Sequence, residues 1–154
     1  MKRMLMSITL ATLVAAAPIL AQENPTTPDS RFAPSIRSVK IAVNDFAKSI
    51  AFYTALGMKE GPKRGDTQEL VWDDTRKSGI MMVSPEYASR AKMERGGTYL
   101  MFTTPDVQVI ADRLRRINQP GVGEPKAMGK MATVLMLRDP DGNQIELLGP
   151  LPSQ

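Results

Sequence analysis

Apolar and polar residues alternate in the stretch 36–43, near the start of the part of the chain that looks structured. In this alternation Ser38 and Lys40 share one face of a strand, while Ile41 and Val43 share the other. The second face is apolar, so we predict that it packs against a core. The first face is then available to solvent or to a ligand.

A helical pattern follows directly. Asp45 is suited to cap the start of a helix and Gly57 to end it, and apolar residues recur between them every three or four positions. This spacing predicts a helix over Asp45–Leu56. Three strands are predicted next, over Met58–Glu60, Thr67–Trp72 and Gly79–Val83. We predict a loop over 61–65, and a loop with one helical turn over 85–97.

The same order of elements then repeats. A strand over Thr98–Thr104 places Tyr99 and Met101 on one face, and Asp106 caps a second helix. Three further strands are predicted over Glu124–Met128, Ala132–Arg138 and Gln144–Leu148. The two capping aspartates are 61 residues apart, and hydrophobic positions correspond across that offset. The chain therefore carries a βαβββ unit twice.

One such unit cannot bury both its sheet and its helix. We predict an α+β fold in which the two modules form a curved mixed sheet with a concave cleft, and helices cover the outer face. The domain is expected to span 36–150, with modules at about 36–84 and 97–150.

The connection between the last two strands is Asp139-Pro140-Asp141-Gly142-Asn143. Its oxygen-bearing side chains resemble a calcium loop, but the remaining ligands and the distant glutamate of an EF-hand are missing. We interpret it as a hairpin turn in which Gly142 supplies a positive φ.

The first residues have the layout of a secretory signal peptide. Lys2 and Arg3 precede an apolar run over 4–17, and the small residue Ala21 is followed by polar ones. The run is short for a membrane span, which needs about 20 residues. We predict a signal peptide over 1–21 cleaved after Ala21, a flexible tail over 22–35, and a periplasmic or secreted product without stable membrane insertion.

Composition excludes several kinds of chemistry. The chain contains no histidine and no cysteine, so it offers no disulfide, thiolate nucleophile, iron–sulfur site or imidazole base. The 20 Lys and Arg residues are balanced by 16 Asp and Glu residues and form no stripe interleaved with aromatic residues. Nucleic-acid binding is therefore not expected.

Two motifs resemble those of the vicinal oxygen chelate superfamily. The first is Asp45-x-x-x-Ser49-x-x-Phe52-Tyr53 followed by Leu-Gly, and the second is the 139–143 turn followed by Glu146-Leu. This group includes glyoxalase I, extradiol dioxygenases, and fosfomycin- and bleomycin-resistance proteins. The resemblance covers about 36–150 and implies the fold. It does not imply one activity, because the superfamily hosts many chemistries.

Catalytic members of this superfamily hold a divalent metal through four strand positions. The resemblance places these at Ser38, Met82, Tyr99 and Glu146. Ser38 is a neutral hydroxyl, Met82 a soft thioether, and Tyr99 a phenol whose ordinary pKa is about 10. Only Glu146 matches the superfamily pattern. These substitutions argue against a metal cofactor, and a divalent metal would have to bind through Glu146.

A ligand cleft is the remaining candidate site. We predict that it is lined by Ser38, Lys40, Trp72, Met82, Tyr99, Met101, Met136 and Glu146. Methionine and aromatic side chains suit an apolar ligand. The carboxylate of Glu146 can accept a cation or an N–H group, or it can simply pair with Lys40.

The sequence predicts a metal-free, exported binding protein, resembling the bleomycin-resistance branch, for a small and partly apolar molecule that can carry a positive charge. Many relatives dimerise, so a homodimer is also considered. One alternative is a divergent metal-dependent lyase, isomerase or dioxygenase in which Glu146 is the best catalytic candidate. Another is a structural module whose cleft is filled by its own side chains. The sequence leaves open whether the protein is an enzyme.

Overall fold

The computed structural model describes residues 38–72 and 79–151. The predicted signal peptide over 1–21, the tail over 22–35 and the turn at 73–78 lie outside these ranges. The elements within them are β1 (Ser38–Ala42), α1 (Phe46–Ala55), β2 (Lys59–Arg64), β3 (Thr67–Val71), β4 (Gly79–Val83), α2 (Pro85–Arg90), β5 (Tyr99–Thr103), α3 (Val107–Arg116), β6 (Lys126–Met128), β7 (Ala132–Arg138) and β8 (Gln144–Gly149).

Each module forms a four-stranded mixed sheet of its own. Sheet 1 has the strand order β1-β4-β3-β2 and sheet 2 the corresponding order β5-β8-β7-β6. In both sheets the first strand pairs in parallel with the last strand of its module, and the other pairs are antiparallel. The predicted α+β class and the duplicated βαβββ unit are confirmed.

The helix-covered faces of both sheets share one hydrophobic core. Ile41 and Leu70 of sheet 1 are buried in it together with Ile145 and Leu135 of sheet 2. Phe52 of α1 and Leu114 of α3 belong to the same cluster, and the two helices contact each other. The opposite face of each sheet therefore points away from this core.

Both predicted N-caps are present. The Asp45 carboxylate accepts hydrogen bonds from the backbone N–H groups of Ala47 at 2.9 Å and Lys48 at 3.2 Å. Asp106 accepts one from Val109 at 3.1 Å. Gly57 follows the end of α1 with a φ of +105°, which other residues rarely adopt.

The predicted loop over 61–65 is wrong, because β2 continues to Arg64. Proline usually interrupts a strand, but β2 is the edge strand of sheet 1 and its pairing with β3 shifts register between Glu60 and Lys63. Pro62 lies within that irregularity, where its missing N–H group costs no ladder hydrogen bond.

The region predicted as a loop with a helical turn contains the short helix α2. Ser84 caps it by accepting a hydrogen bond from the N–H of Tyr87 at 3.2 Å. Ala88 of this helix packs with Ala42 and Val83 in a second small cluster. Alternation places Ala42 on the same face of β1 as Lys40, so α2 covers part of the face of sheet 1 that α1 does not cover.

Within the two described ranges, no helix has both the length and the apolar character needed to cross a membrane.

Candidate ligand-binding face

Strand register brings four of the eight predicted cleft residues together on sheet 2. Met101 of β5 lies directly opposite Glu146 of β8, and Met136 of β7 lies opposite Glu146 on the other side. Paired residues project from the same face of a sheet. Tyr99 lies two residues before Met101 and therefore on that face as well. We call these four residues the Glu146 face.

The Glu146 face is open. Met101 is 58% exposed and Tyr99 49% on the edge strand β5, and Met136 is 45% exposed on the inner strand β7. Large apolar side chains grouped in water are unusual on a protein surface and mark sites of interaction. Their exposure also argues against the alternative that side chains of the chain itself fill this site.

A hydrogen bond organises the polar part of the face. The Tyr99 hydroxyl donates to Glu146 Oε2 and lies 3.9 Å from Met136 Sδ. The hydrogen bond to Glu146 is the main reason that the pKa of Tyr99 is raised, followed by partial desolvation and the charge of Glu146. The phenol therefore stays protonated at neutral pH. Within the described part of the chain, Glu146 Oε1 has no hydrogen-bond partner, so it can accept a donor from a ligand.

A cavity of about 320 Å³ adjoins this face at Met136. It extends toward β6, where Lys126 lies opposite Val134 and so projects on the same side of the sheet as Met136. The face therefore has a carboxylate between two methionines and an ammonium group farther out, on β6. Two cavities of about 460 and 440 Å³ lie elsewhere and contain none of the predicted cleft residues.

Ser38 and Lys40 occupy the corresponding face of sheet 1, where both are exposed. The Lys40 ammonium group donates to the Tyr87 hydroxyl at 2.9 Å and lies 4.9 Å from the centre of its ring. In the part of the chain that the structure describes, Lys40 forms no ion pair with Glu146. Instead of pairing with each other, Lys40 contacts Tyr87 and Glu146 contacts Tyr99.

The placement of Met82 in the cleft is wrong. Met82 lies opposite Ile41 and Gln68 across the strands, on the core face, and is fully buried. Met81 lies opposite Lys40 and occupies the position on the other face. A shift of one residue moves a side chain to the other side of a sheet. Because Met81 and Met82 are consecutive and identical, the sequence does not show which of them faces the core.

Trp72 does not join the Glu146 face. Its ring packs edge-on against Phe102 with the centroids 5.3 Å apart. Phe102 alternates with Met101 and therefore projects from the opposite side of β5. Trp72, which is 39% exposed, thus links the two modules at the margin of the core.

The residues around Glu146 do not suit a hard divalent metal ion. Among the described residues, no group of three or more His, Cys, Asp or Glu side chains could hold a metal. Every buried side-chain nitrogen or oxygen in these ranges already has a hydrogen-bond partner, so no buried polar atom is left unpaired as a potential metal ligand. The neighbours of Glu146 are a phenol and two thioethers, which are poor ligands for Mg²⁺ or Mn²⁺.

The 139–143 turn has a role that was not predicted from the sequence. Gly142 has the predicted positive φ, +89°. The turn also holds the two modules together, because Asp141 accepts hydrogen bonds from Asn44 N at 2.7 Å and Ser49 Oγ at 2.7 Å. Asn44 in turn accepts a hydrogen bond from Arg95. The N-terminal end of α1 is thus bound to the hairpin of sheet 2.

Asp139 forms the buried centre of this connection. Its carboxylate accepts hydrogen bonds from the Tyr53 hydroxyl at 2.7 Å, from Asn143 Nδ2 at 2.8 Å, and from two backbone N–H groups of the turn. Burial, followed by the charge of Asp139, raises the pKa of Tyr53 far above its ordinary value. Ser49 and Tyr53 are polar groups within the apolar stripe of α1, and that conflict was the available sequence signal.

Comparison with known proteins supports the fold. The chain resembles the antibiotic-binding protein TnmS3 from Streptomyces sp. CB03234, with a TM-score of 0.59 and 22% identity over 77% of this chain and 98% of that one. A member of the Glyoxalase/bleomycin resistance protein/dioxygenase superfamily from Sphaerobacter thermophilus matches with a TM-score of 0.59 and 20% identity. The match covers 76% of this chain and 98% of that one. The bleomycin resistance determinant encoded on transposon Tn5 matches with a TM-score of 0.54 and 16% identity. The match covers 75% of this chain and 97% of that one.

No curated protein gives a significant match to the chain. The family model of the Glyoxalase/Bleomycin resistance protein/Dioxygenase superfamily matches residues 35–147, which include nearly all described elements. The chain belongs to this superfamily.

Proposed function

We propose that this protein binds a small organic molecule on the Glu146 face and does so without a resident divalent metal. The observation that carries the proposal is the open Tyr99–Met101–Met136 surface around one oxygen of Glu146, which has no hydrogen-bond partner among residues 38–72 and 79–151. A folded chain that leaves three large apolar side chains in water retains a surface that a ligand can cover.

The composition of the face indicates the class of ligand. Methionine side chains are flexible and polarizable, so they adapt to apolar ligands of irregular shape. Glu146 Oε1 favours a ligand that presents an N–H group or a positive charge. Lys126 at the far end of the adjoining cavity offers a contact for an acceptor or an acid. The ligand is therefore a partly apolar molecule with a cationic or N–H group.

The names of two neighbours are consistent with this proposal, since one is an antibiotic-binding protein and the other a bleomycin resistance determinant. Their identities of 22% and 16% do not transfer a ligand to this chain. The metal-dependent lyase, isomerase or dioxygenase alternative has no observation in its favour, because the donors around Glu146 are unsuitable for the ion it needs.

Calorimetric titration with a panel of aromatic amines and their neutral isosteres tests the proposal. We expect the amines to bind more tightly, and Met101→Lys to abolish binding by placing a like charge beside the ligand. Met131→Lys is the matched control, since Met131 is 79% exposed but lies in the turn between β6 and β7. Equal loss in both variants, or binding unaffected by Met101→Lys, would place the ligand elsewhere.

Export is part of the proposal and rests on the signal-like segment over 1–21. Expression in a Gram-negative bacterium, followed by fractionation and N-terminal sequencing, is expected to yield a periplasmic protein that begins at Gln22. A cytoplasmic product that retains Met1 would contradict export while leaving the binding proposal intact.

We also propose a homodimer. In it, a second copy of the chain covers the Glu146 face of the first, and the ligand binds between the two copies. Sedimentation over a range of protein concentrations measures this directly. We expect Met101→Lys to shift the equilibrium toward the monomer, because an unpaired charge would enter the interface. A wild-type chain that stays monomeric at all concentrations would remove this part of the proposal.

A further inference from the structure

We infer that Met101, Met136 and Glu146 form a binding site for a soft monovalent metal ion, Cu(I) or Ag(I). This inference goes beyond the proposed function and does not depend on it, since the ion alone is the ligand. It starts from the donors that the face presents, which do not suit a hard ion but do suit a soft one.

The strand register aligns the three donors. Met101 and Met136 lie directly opposite Glu146 on either side of β8, so the three residues form a row across β5, β8 and β7. Neighbouring strands are about 4.8 Å apart, and a methionine side chain spans that distance. Both thioether sulfurs can therefore lean over the glutamate between them and approach the same point.

The carboxylate is already held in position. The Tyr99 hydroxyl donates to Glu146 Oε2 and lies 3.9 Å from Met136 Sδ, so it fixes the acid close to one of the sulfurs. Glu146 Oε1 has no hydrogen bond within the described ranges and can complete a site of two sulfurs and one oxygen. Its negative charge balances that of a monovalent cation.

The chemistry of the donors selects the ion. Thioether ligands favour Cu(I) and similar soft ions, whereas Mg²⁺ and Mn²⁺ require several oxygen ligands. The whole chain has no cysteine or histidine, so methionine supplies its only soft donors. Met58 and Met82 are 2% and 0% exposed and out of reach of solvent ions, while Met101 and Met136 are open.

Titration of the full chain with silver nitrate in chloride-free buffer tests the site. Methionine methyl groups are isotope-labelled for NMR, and Met101→Leu and Met136→Leu assign their signals. We expect one silver ion to move the methyl signals of Met101 and Met136 first, while those of Met58 and Met82 stay in place. Mg²⁺, a hard and diamagnetic ion, is expected to leave all four signals unchanged in the same experiment.

The variants then establish whether the two sulfurs act together. Loss of even an outer-shell partner lowers metal affinity by about 10–100-fold, so Met101→Leu and Met136→Leu are each expected to weaken silver binding by more than about tenfold. Met131→Leu is the control for any exposed thioether and is expected to have no effect.

Three results would overturn the inference. The first is silver binding that moves the Met131 signal together with those of Met101 and Met136, because it would indicate nonspecific attachment to exposed sulfur. The second is unchanged affinity in the Met101→Leu/Met136→Leu double variant. The third is no signal change at all. Each of these leaves the titration with aromatic amines unaffected, so failure of the metal site is distinguishable from failure of the proposed function.

Discussion

Two tyrosine–carboxylate pairs occur in this molecule, and they have opposite surroundings. Tyr53 donates to Asp139 at 2.7 Å between the two modules, where the tyrosine is fully buried and the aspartate is 4% exposed. Tyr99 donates to Glu146 on the open face of sheet 2, where the tyrosine is 49% exposed. The same two functional groups therefore occur in two different environments.

The difference shows how burial decides the role of a polar pair. Asp139 is surrounded by donors of its own chain and has no free position for a ligand. Among the residues that the structure describes, Glu146 has one hydrogen-bond donor, Tyr99, and its second oxygen has none. Burial is the first cause of the raised pKa of Tyr53, whereas for Tyr99 it is the hydrogen bond to Glu146. The buried pair is expected to affect stability and the exposed pair to affect binding.

The largest effect is expected for Asp139→Ala. This change leaves the Tyr53 hydroxyl and Asn143 Nδ2 without their acceptor in the interior and removes two backbone hydrogen bonds from the turn. Each buried group left unsatisfied costs about 1–3 kcal/mol, so we expect the free energy of unfolding to fall by more than about 3 kcal/mol. Urea unfolding measures this. Glu146→Ala is the matching change in the exposed pair. If Asp139→Ala cost no more stability than Glu146→Ala, the proposed contrast between the pairs would be contradicted.

Tyr53→Phe is expected to have the next largest effect. It removes one hydrogen bond to a charged acceptor that keeps three other donors, so the loss of stability is expected to be about 1.5–3 kcal/mol at neutral pH. Tyr99→Phe is the matched control on the exposed pair and is expected to cost less than about 0.5 kcal/mol. Similar losses in the two variants would show that burial does not separate the pairs.

The raised pKa of Tyr53 also makes the stability of the wild type depend on pH, with a defined sign. The pKa of Tyr53 is raised in the folded state, so above the unfolded pKa of about 10 the unfolded chain loses a proton that the folded chain keeps. Stability from this group is complete below that pH and declines as the pH rises above it. The wild type is therefore expected to lose stability above about pH 10 more steeply than Tyr53→Phe. Parallel curves would contradict this.

The pattern of the sequence was sufficient for the architecture. Alternation and capping residues located the strands and helices, because those signals are local and both modules carry them. The boundary of β2 was the exception, since proline is tolerated in an edge strand and the sequence does not say which strand is at the edge. Pairing partners are fixed only by the folded sheet.

The site was predictable only in part. Tyr99, Met101, Met136 and Glu146 share one face of sheet 2, and strand alternation within one module predicts this placement. Met82 was misplaced because a single residue of register separates a core position from a surface one. Asp139 was recognised as a turn residue but not as a partner of Tyr53, since that contact joins residues 86 positions apart. Contacts between modules carry no periodic signal.

Glu146→Gln tests the exposed pair directly. The change is nearly isosteric, so we expect the free energy of unfolding to stay within about 0.5 kcal/mol of the wild type. It removes the negative charge that a cationic ligand would contact, so affinity for the aromatic amines is expected to fall about tenfold, which corresponds to about 1.4 kcal/mol. Calorimetry measures the affinity, and the neutral isosteres serve as the internal control because their binding should not change. An equal loss for amines and isosteres would show that Glu146 acts through the shape of the face.

The smallest expected effect is a change in the titration of Tyr99. Its pKa is raised chiefly by the hydrogen bond to Glu146 and additionally by the charge of that carboxylate. Glu146→Gln removes the charge and weakens the acceptor, so Tyr99 is expected to ionise at a lower pH than in the wild type. Tyrosinate absorbance in the near ultraviolet follows the ionisation, and Tyr99→Phe identifies which part of the curve belongs to this residue. Tyr53 should contribute no tyrosinate absorbance over this range, because burial raises its pKa far above the ordinary value. If the curve of Tyr99 stayed in place, Glu146 would not be what raises its pKa, and the contrast between the exposed pair and the buried pair would fail.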